Sequence, residues 1–69
     1  HEIIGLNVID NATNENLGQV SEIMPLPAND VWVVRARGKE DLFLPFIADV
    51  VTDIDLDGGT AKVNLLEEI

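Results

Sequence analysis

Apolar side chains in this sequence alternate with polar ones over short spans, and Gly, Pro, Asn and Asp interrupt the pattern every few residues. That is the signature of strands and turns, not helices. From Ile3 to Asp10 the alternation puts Leu6 and Val8 on one face and Asn7 and Ile9 on the other, which predicts a first strand. The polar run from Asn11 to Asn16 predicts a turn. Order resumes at Leu17-Gly18. Val20, Ile23 and Met24 supply the apolar side chains of a second strand, and their uneven spacing implies a β-bulge. Pro25 and Pro27 end that strand, because proline has no N–H to give to a ladder. Asn29-Asp30 opens the turn that follows.

Val31-Trp32-Val33-Val34 is β-branched and aromatic and apolar on both faces, which predicts a buried strand. Arg35 to Lys39 turns at Gly38. Leu42, Phe43 and Leu44 form a fourth strand closed by Pro45. Residues 46–50 fit one short helical turn, and Thr52 to Leu56 is extended again. Asp57-Gly58-Gly59 is a hairpin signal, and Ala61 to Leu65 reads as the last strand, with Val63 and Leu65 inward. Glu67-Glu68-Ile69 reads as a fraying or partner-bound tail. No helical periodicity runs for three turns. The expected fold is all-β: a small β-barrel of about six short strands, in one domain over residues 1–69, with at most one helical turn near residues 46–50. Closing the sheet would protect its edges.

Composition narrows what such a barrel can do. A chain of 69 residues builds one small core and has no room for a deep cleft. The 13 acidic residues outnumber 4 Lys and Arg, for a net charge of -9. That charge repels phosphate and attracts basic partners, unless it serves solubility alone. The chain has no Cys, hence no disulfide or thiolate metal site. There is no apolar run of membrane-spanning length and no signal-peptide pattern, so a cytoplasmic location and no membrane partner are expected. The first residue is His1 instead of Met, which is expected of a processed product or, preferably, a piece of a longer protein.

Candidate chemistry is sparse. Asp53, Asp55 and Asp57 followed by Gly58 match the opening of a calcium loop. The match stops there: Asn64 stands where a bidentate Glu is needed, and Thr60 where an apolar β-branched residue usually sits. A strand running into an Asp-Gly-Gly turn explains the same residues, and they remain only weak metal candidates. Asn11-Ala12-Thr13 fits a glycosylation acceptor, but without a secretory signal it reads as a polar turn. Arg35, Arg37 and Lys39 hold three of the four fixed positive charges, and on an extended strand they would share a face. There they could touch a phosphate locally; the alternative is a solvated strand end paired with nearby acids. Trp32, the only Trp, is either partly exposed as an interface anchor or buried with valines beside it. No catalytic site and no cofactor are expected: the only His is His1 at a terminus, the only Ser is Ser21 within a strand, and the acids are scattered.

In order along the chain, Glu2-Ile-Ile-Gly-Leu-Asn-Val8, Asn14-Glu-Asn-Leu-Gly-Gln-Val20, Asn29-Asp-Val-Trp-Val-Val34, Leu44-Pro-Phe-Ile-Ala-Asp-Val-Val51 and Asp53-Ile-Asp55 resemble the PRC-barrel family. They are most similar to the version found at the C-terminal end of the bacterial ribosome maturation factor RimM, and the resemblance covers nearly the whole chain. It implies a two-domain factor with an N-terminal barrel, a linker and this C-terminal barrel. It implies assistance to small-subunit head assembly and 16S rRNA processing, without catalysis. The implied means is binding of the basic head protein numbered nineteen, with little direct nucleic-acid contact by this domain. An aromatic pair just upstream of the barrel, linked in the family to subunit binding, would precede His1. Trp32, Asp30, Arg35, Phe46 and Asp49 are the expected partner-binding residues. A PRC-barrel of another type, serving a different protein or a membrane complex, is the alternative reading.

Overall fold

The computed structural model describes residues 3–65. Six strands follow one another: β1 (Asn7–Asp10), β2 (Asn16–Met24), β3 (Val31–Arg35), β4 (Leu42–Pro45), β5 (Val51–Asp55) and β6 (Thr60–Val63). They form one sheet in the order β4-β3-β2-β1-β6-β5. The β1–β6 pair is parallel and every other pair is antiparallel. This is the all-β, barrel-like fold that the alternation predicts.

The sheet curls because its inner face is a single apolar surface with no polar side chains to hydrate. Leu6, Val8, Val20, Trp32, Val34, Leu44, Val50, Val51, Ala61 and Val63 meet there. No polar or charged residue is buried among the described residues. β4 and β5 are the sheet's two edges, and residues 46–50 connect them. The amides of Val50 and Val51 both donate to the Ile47 carbonyl, at 3.0 and 2.9 Å, which makes the expected single helical turn. Phe46 N–H donates to the Asp30 carbonyl (2.8 Å) and Asn64 N–H to the Val50 carbonyl (2.7 Å). These two bonds fasten the turn to the start of β3 and to the chain just past β6.

Several boundaries differ from the sequence pattern, each for a local reason. The first strand begins at Asn7, because Ile3–Leu6 is folded by a turn in which Gly5 has a φ of 96° and Leu6 N–H bonds the Ile3 carbonyl. The expected bulge is present: the β2–β3 register shifts between Val20 and Glu22, and Ser21 Oγ donates to the Val33 carbonyl at 3.2 Å. Val63 points inward as expected, but Leu65 does not. The strand stops at Val63 and Asn64 turns to bond Val50, so the alternation has no ladder to carry it further, and Leu65 is exposed. The tail at Glu67–Ile69 lies outside the described residues.

Gly18 holds β2 against β3. Its φ is 132°, and a Cβ there would collide with the Arg35 backbone carbonyl, which cannot swing aside as a side chain can. Gly18→Ala is therefore expected to destabilise the fold by about 1–3 kcal/mol. A lowered urea midpoint at unchanged m would show this, and an unchanged midpoint would contradict it.

Candidate docking surface

A sheet of this size has only two places for an apolar side chain, and strand parity decides which it takes. On β3 the inner face takes Trp32 and Val34, and the outer face takes Val31 and Val33. Trp32 is 1% exposed, so of the two readings its sequence allows, the buried one holds and the partly exposed one does not. The largest side chain goes where it removes the most apolar area from water. Its exposure passes instead to Phe46, whose ring stacks on the indole at 5.2 Å between centroids and 14° between planes. Phe46 remains 46% exposed.

The other expected partner-binding residues divide into two places. Asp30 is exposed, and its carbonyl anchors the Phe46 amide; Asp49 is exposed on the same 46–50 turn. These three therefore gather near one end of β3 and β4. Arg35 lies at the other end of β3, about 17 Å of strand away, where its Nε contacts Asp41 Oδ2 at 3.3 Å. The extended basic face does not form, because Lys39 N–H bonds the Ala36 carbonyl and turns the chain. Lys39 Nζ lies 3.9 Å from Glu15 Oε2. The basic segment is thus a solvated strand end paired with acids, and such exposed pairs contribute little stability.

The sequence reading missed Phe43. It is 57% exposed, more than any other large apolar side chain described, and sits directly across from Val33 on the outer face. Val33 itself is 3% exposed, yet it is no part of the inner core. The register extends this outer patch: Glu22, Val33 and Phe43 form one row across β2, β3 and β4, and Met24, Val31 and Pro45 form the next. Parity within Leu42-Phe43-Leu44 was the available signal, since a strand with Leu42 and Leu44 inward must turn Phe43 out.

Asp53 and Asp55 lie exposed on β5 and Asp57 in the turn after it. Asp55 Oδ1 already accepts the Gly58 amide at 2.9 Å. Among the described residues no three acidic or histidine side chains gather as metal ligands, and no pocket is present. No helix among the described residues is long and apolar enough to cross a membrane. Ser21 Oγ is engaged with the Val33 carbonyl, and His1 lies outside the described residues.

Six short strands curled over one apolar core, with parallel first and last strands, define a small PRC-type barrel. A family model described as the RimM PRC barrel domain matches residues 1–69, and the chain belongs to that family. Ribosome maturation factor RimM of Streptococcus thermophilus is 52% identical over 67 residues, covering 97% of this chain. RimM of Streptococcus suis is 51% identical and that of Levilactobacillus brevis 48%, over the same length. The chain spans 38% of the length of each of these relatives. In structure it is similar to a protein described as a 16S ribosomal RNA processing protein RimM from Pseudomonas aeruginosa. That match has a TM-score of 0.84 and 31% identity, over 91% of this chain and 40% of the other.

The dispersal of the β5 acids yields a direct expectation. A ligand that binds only the folded state raises the melting midpoint. Millimolar calcium is expected to leave the midpoint where magnesium leaves it; a rise specific to calcium that is lost in Asp55→Asn would show a site the geometry does not contain.

Proposed function

We propose that this barrel is the protein-docking part of a cytoplasmic ribosome maturation factor. It acts without catalysis: it captures a basic ribosomal protein of the small-subunit head during 30S assembly and 16S rRNA processing. The reading extends to this chain what the names of its relatives say of them, a ribosome maturation factor and a 16S rRNA processing protein.

The observation that carries it is where the charge sits. The net charge is -9, and no charged side chain among the described residues is buried. The described acids are therefore displayed to solvent around a body whose principal extents are only 30 × 28 × 24 Å. At physiological ionic strength the Debye length is about 8 Å, so a basic protein approaching within that range is attracted, and bare rRNA is repelled. Ribosomal proteins of the head are cationic because they must bind rRNA. A negative surface can hold such a protein until rRNA displaces it. Phe46, with Asp30 and Asp49 nearby, supplies an apolar contact within this acidic field.

Titration of the chain with the purified head protein at rising salt tests this reading. Affinity is expected to fall by at least about tenfold between 50 and 300 mM salt, mainly through slower association. Equal affinity at both salts, or tighter binding to a naked 16S rRNA fragment, would overturn it.

A further inference from the structure

The outer face of β2-β3-β4 is apolar where a sheet exposed to water is ordinarily polar. Its residues lie outside the inner core cluster. Val33 is nearly inaccessible yet lies outside the inner cluster, and Phe43, its register partner on β4, has more than half its surface in water. Glu22 on β2, Asp30 before β3, and Glu40 and Asp41 before β4 flank this patch, and Arg35 is the cation nearest them in the register.

The backbone adds a second, independent feature. β4 is an edge strand. The bond from Phe46 N–H to the Asp30 carbonyl continues the β3–β4 register one pair beyond Val31–Pro45. Hydrogen-bonded and open pairs alternate in an antiparallel ladder. Trp32–Leu44 and Val34–Leu42 are therefore the bonded pairs, and Val33–Phe43 is open. The N–H and C=O of Phe43 point away from β3, toward the open edge. Pro45, next in that phase, has no N–H to offer, and its carbonyl accepts Ile47 N–H at 3.0 Å. The edge is thus blunted against indefinite strand addition, but among the described residues one complete donor–acceptor pair, that of Phe43, is left beside an apolar patch.

We propose that an extended segment of a basic partner docks along β4. It pairs its backbone with Phe43 and lays apolar side chains on the outward-facing Phe43 and Pro45 of β4, while its Lys and Arg side chains face Glu40 before that strand. The occupant follows from charge: a second copy of this chain brings another -9 to an acidic rim, whereas a cationic strand is complementary to it. This inference rests on the proposed capture of a basic ribosomal protein and specifies where and in what conformation the partner binds.

The test uses the full chain and the purified basic head protein, with backbone amide exchange and affinity measured together. Phe43→Thr keeps a strand-forming residue and removes the aromatic contact; Asp53→Asn on β5 is the control. The Phe43 amide is expected to exchange freely in the free chain and at least tenfold more slowly in the complex. Phe43→Thr is expected to weaken binding about tenfold, and Asp53→Asn by less than twofold. The exchange measurement needs no variant, so it decides even if Phe43→Thr folds poorly. If the partner binds but the Phe43 amide exchanges as before, edge docking is overturned and capture of the basic protein stands. If the wild-type chain does not bind the partner at any salt, both fall. Protection of the Phe43 amide in the free chain, whether independent of concentration or rising with it, would assign the edge to the chain itself or to a second copy, and would also overturn the proposal.

Discussion

Everything in this fold depends on the parallel pairing of β1 with β6. Without it the chain divides into a four-strand meander, β1 to β4, and a separate β5–β6 hairpin, neither with enough apolar surface to hold a structure. The pairing runs from Asn7 opposite Thr60 to Asp10 opposite Val63. Asn7 N–H to the Gly59 carbonyl (2.9 Å) and Asn11 N–H to the Val63 carbonyl (2.8 Å) flank it. Val8 and Val63 are both wholly inaccessible to solvent. Residues more than fifty positions apart thus bury the centre of the core, and the entropy of closing so long a loop is offset only when that core forms.

The same constraint explains the surface. A core made entirely of apolar side chains has no place for an ion, so every described charge is pushed outward. Crowding like charges on a small body costs stability through mutual repulsion. A cationic partner relieves that repulsion, so the most strained electrostatic state of the barrel is the unbound one. In the proposed docking, Phe43 and Phe46 would provide what charge alone lacks, contacts that fix a partner in one place.

Much of the strand pattern was legible in the sequence because alternation and proline directly reflect pleat and ladder. The bulge near Ser21, the termination at Pro25, the helical turn at 46–50 and the Asp-Gly-Gly turn all follow from local chemistry. The resemblance of the ordered segments to PRC-barrels pointed to the family. Parity within Val31–Val34 was not legible, because a strand apolar on both faces does not say which face is inward; only packing against Phe46 and Leu44 puts Trp32 inside. Leu65 misled because alternation continues in the sequence past the point where the ladder ends. Pairing of β1 with β6 leaves no local mark at all. The open edge at Phe43 depends on hydrogen-bond phase, which a one-dimensional pattern does not carry.

Native-state amide exchange across the whole sheet addresses the β1–β6 pairing most directly. The hydrogen-bonded amides of β1 and β6 are predicted to exchange only through global unfolding, at the same free energy as the best-protected amides of β2 and β3. If β5 and β6 opened together at a free energy well below that of the β1–β4 meander, the pairing would not hold the barrel together, and the account would be contradicted.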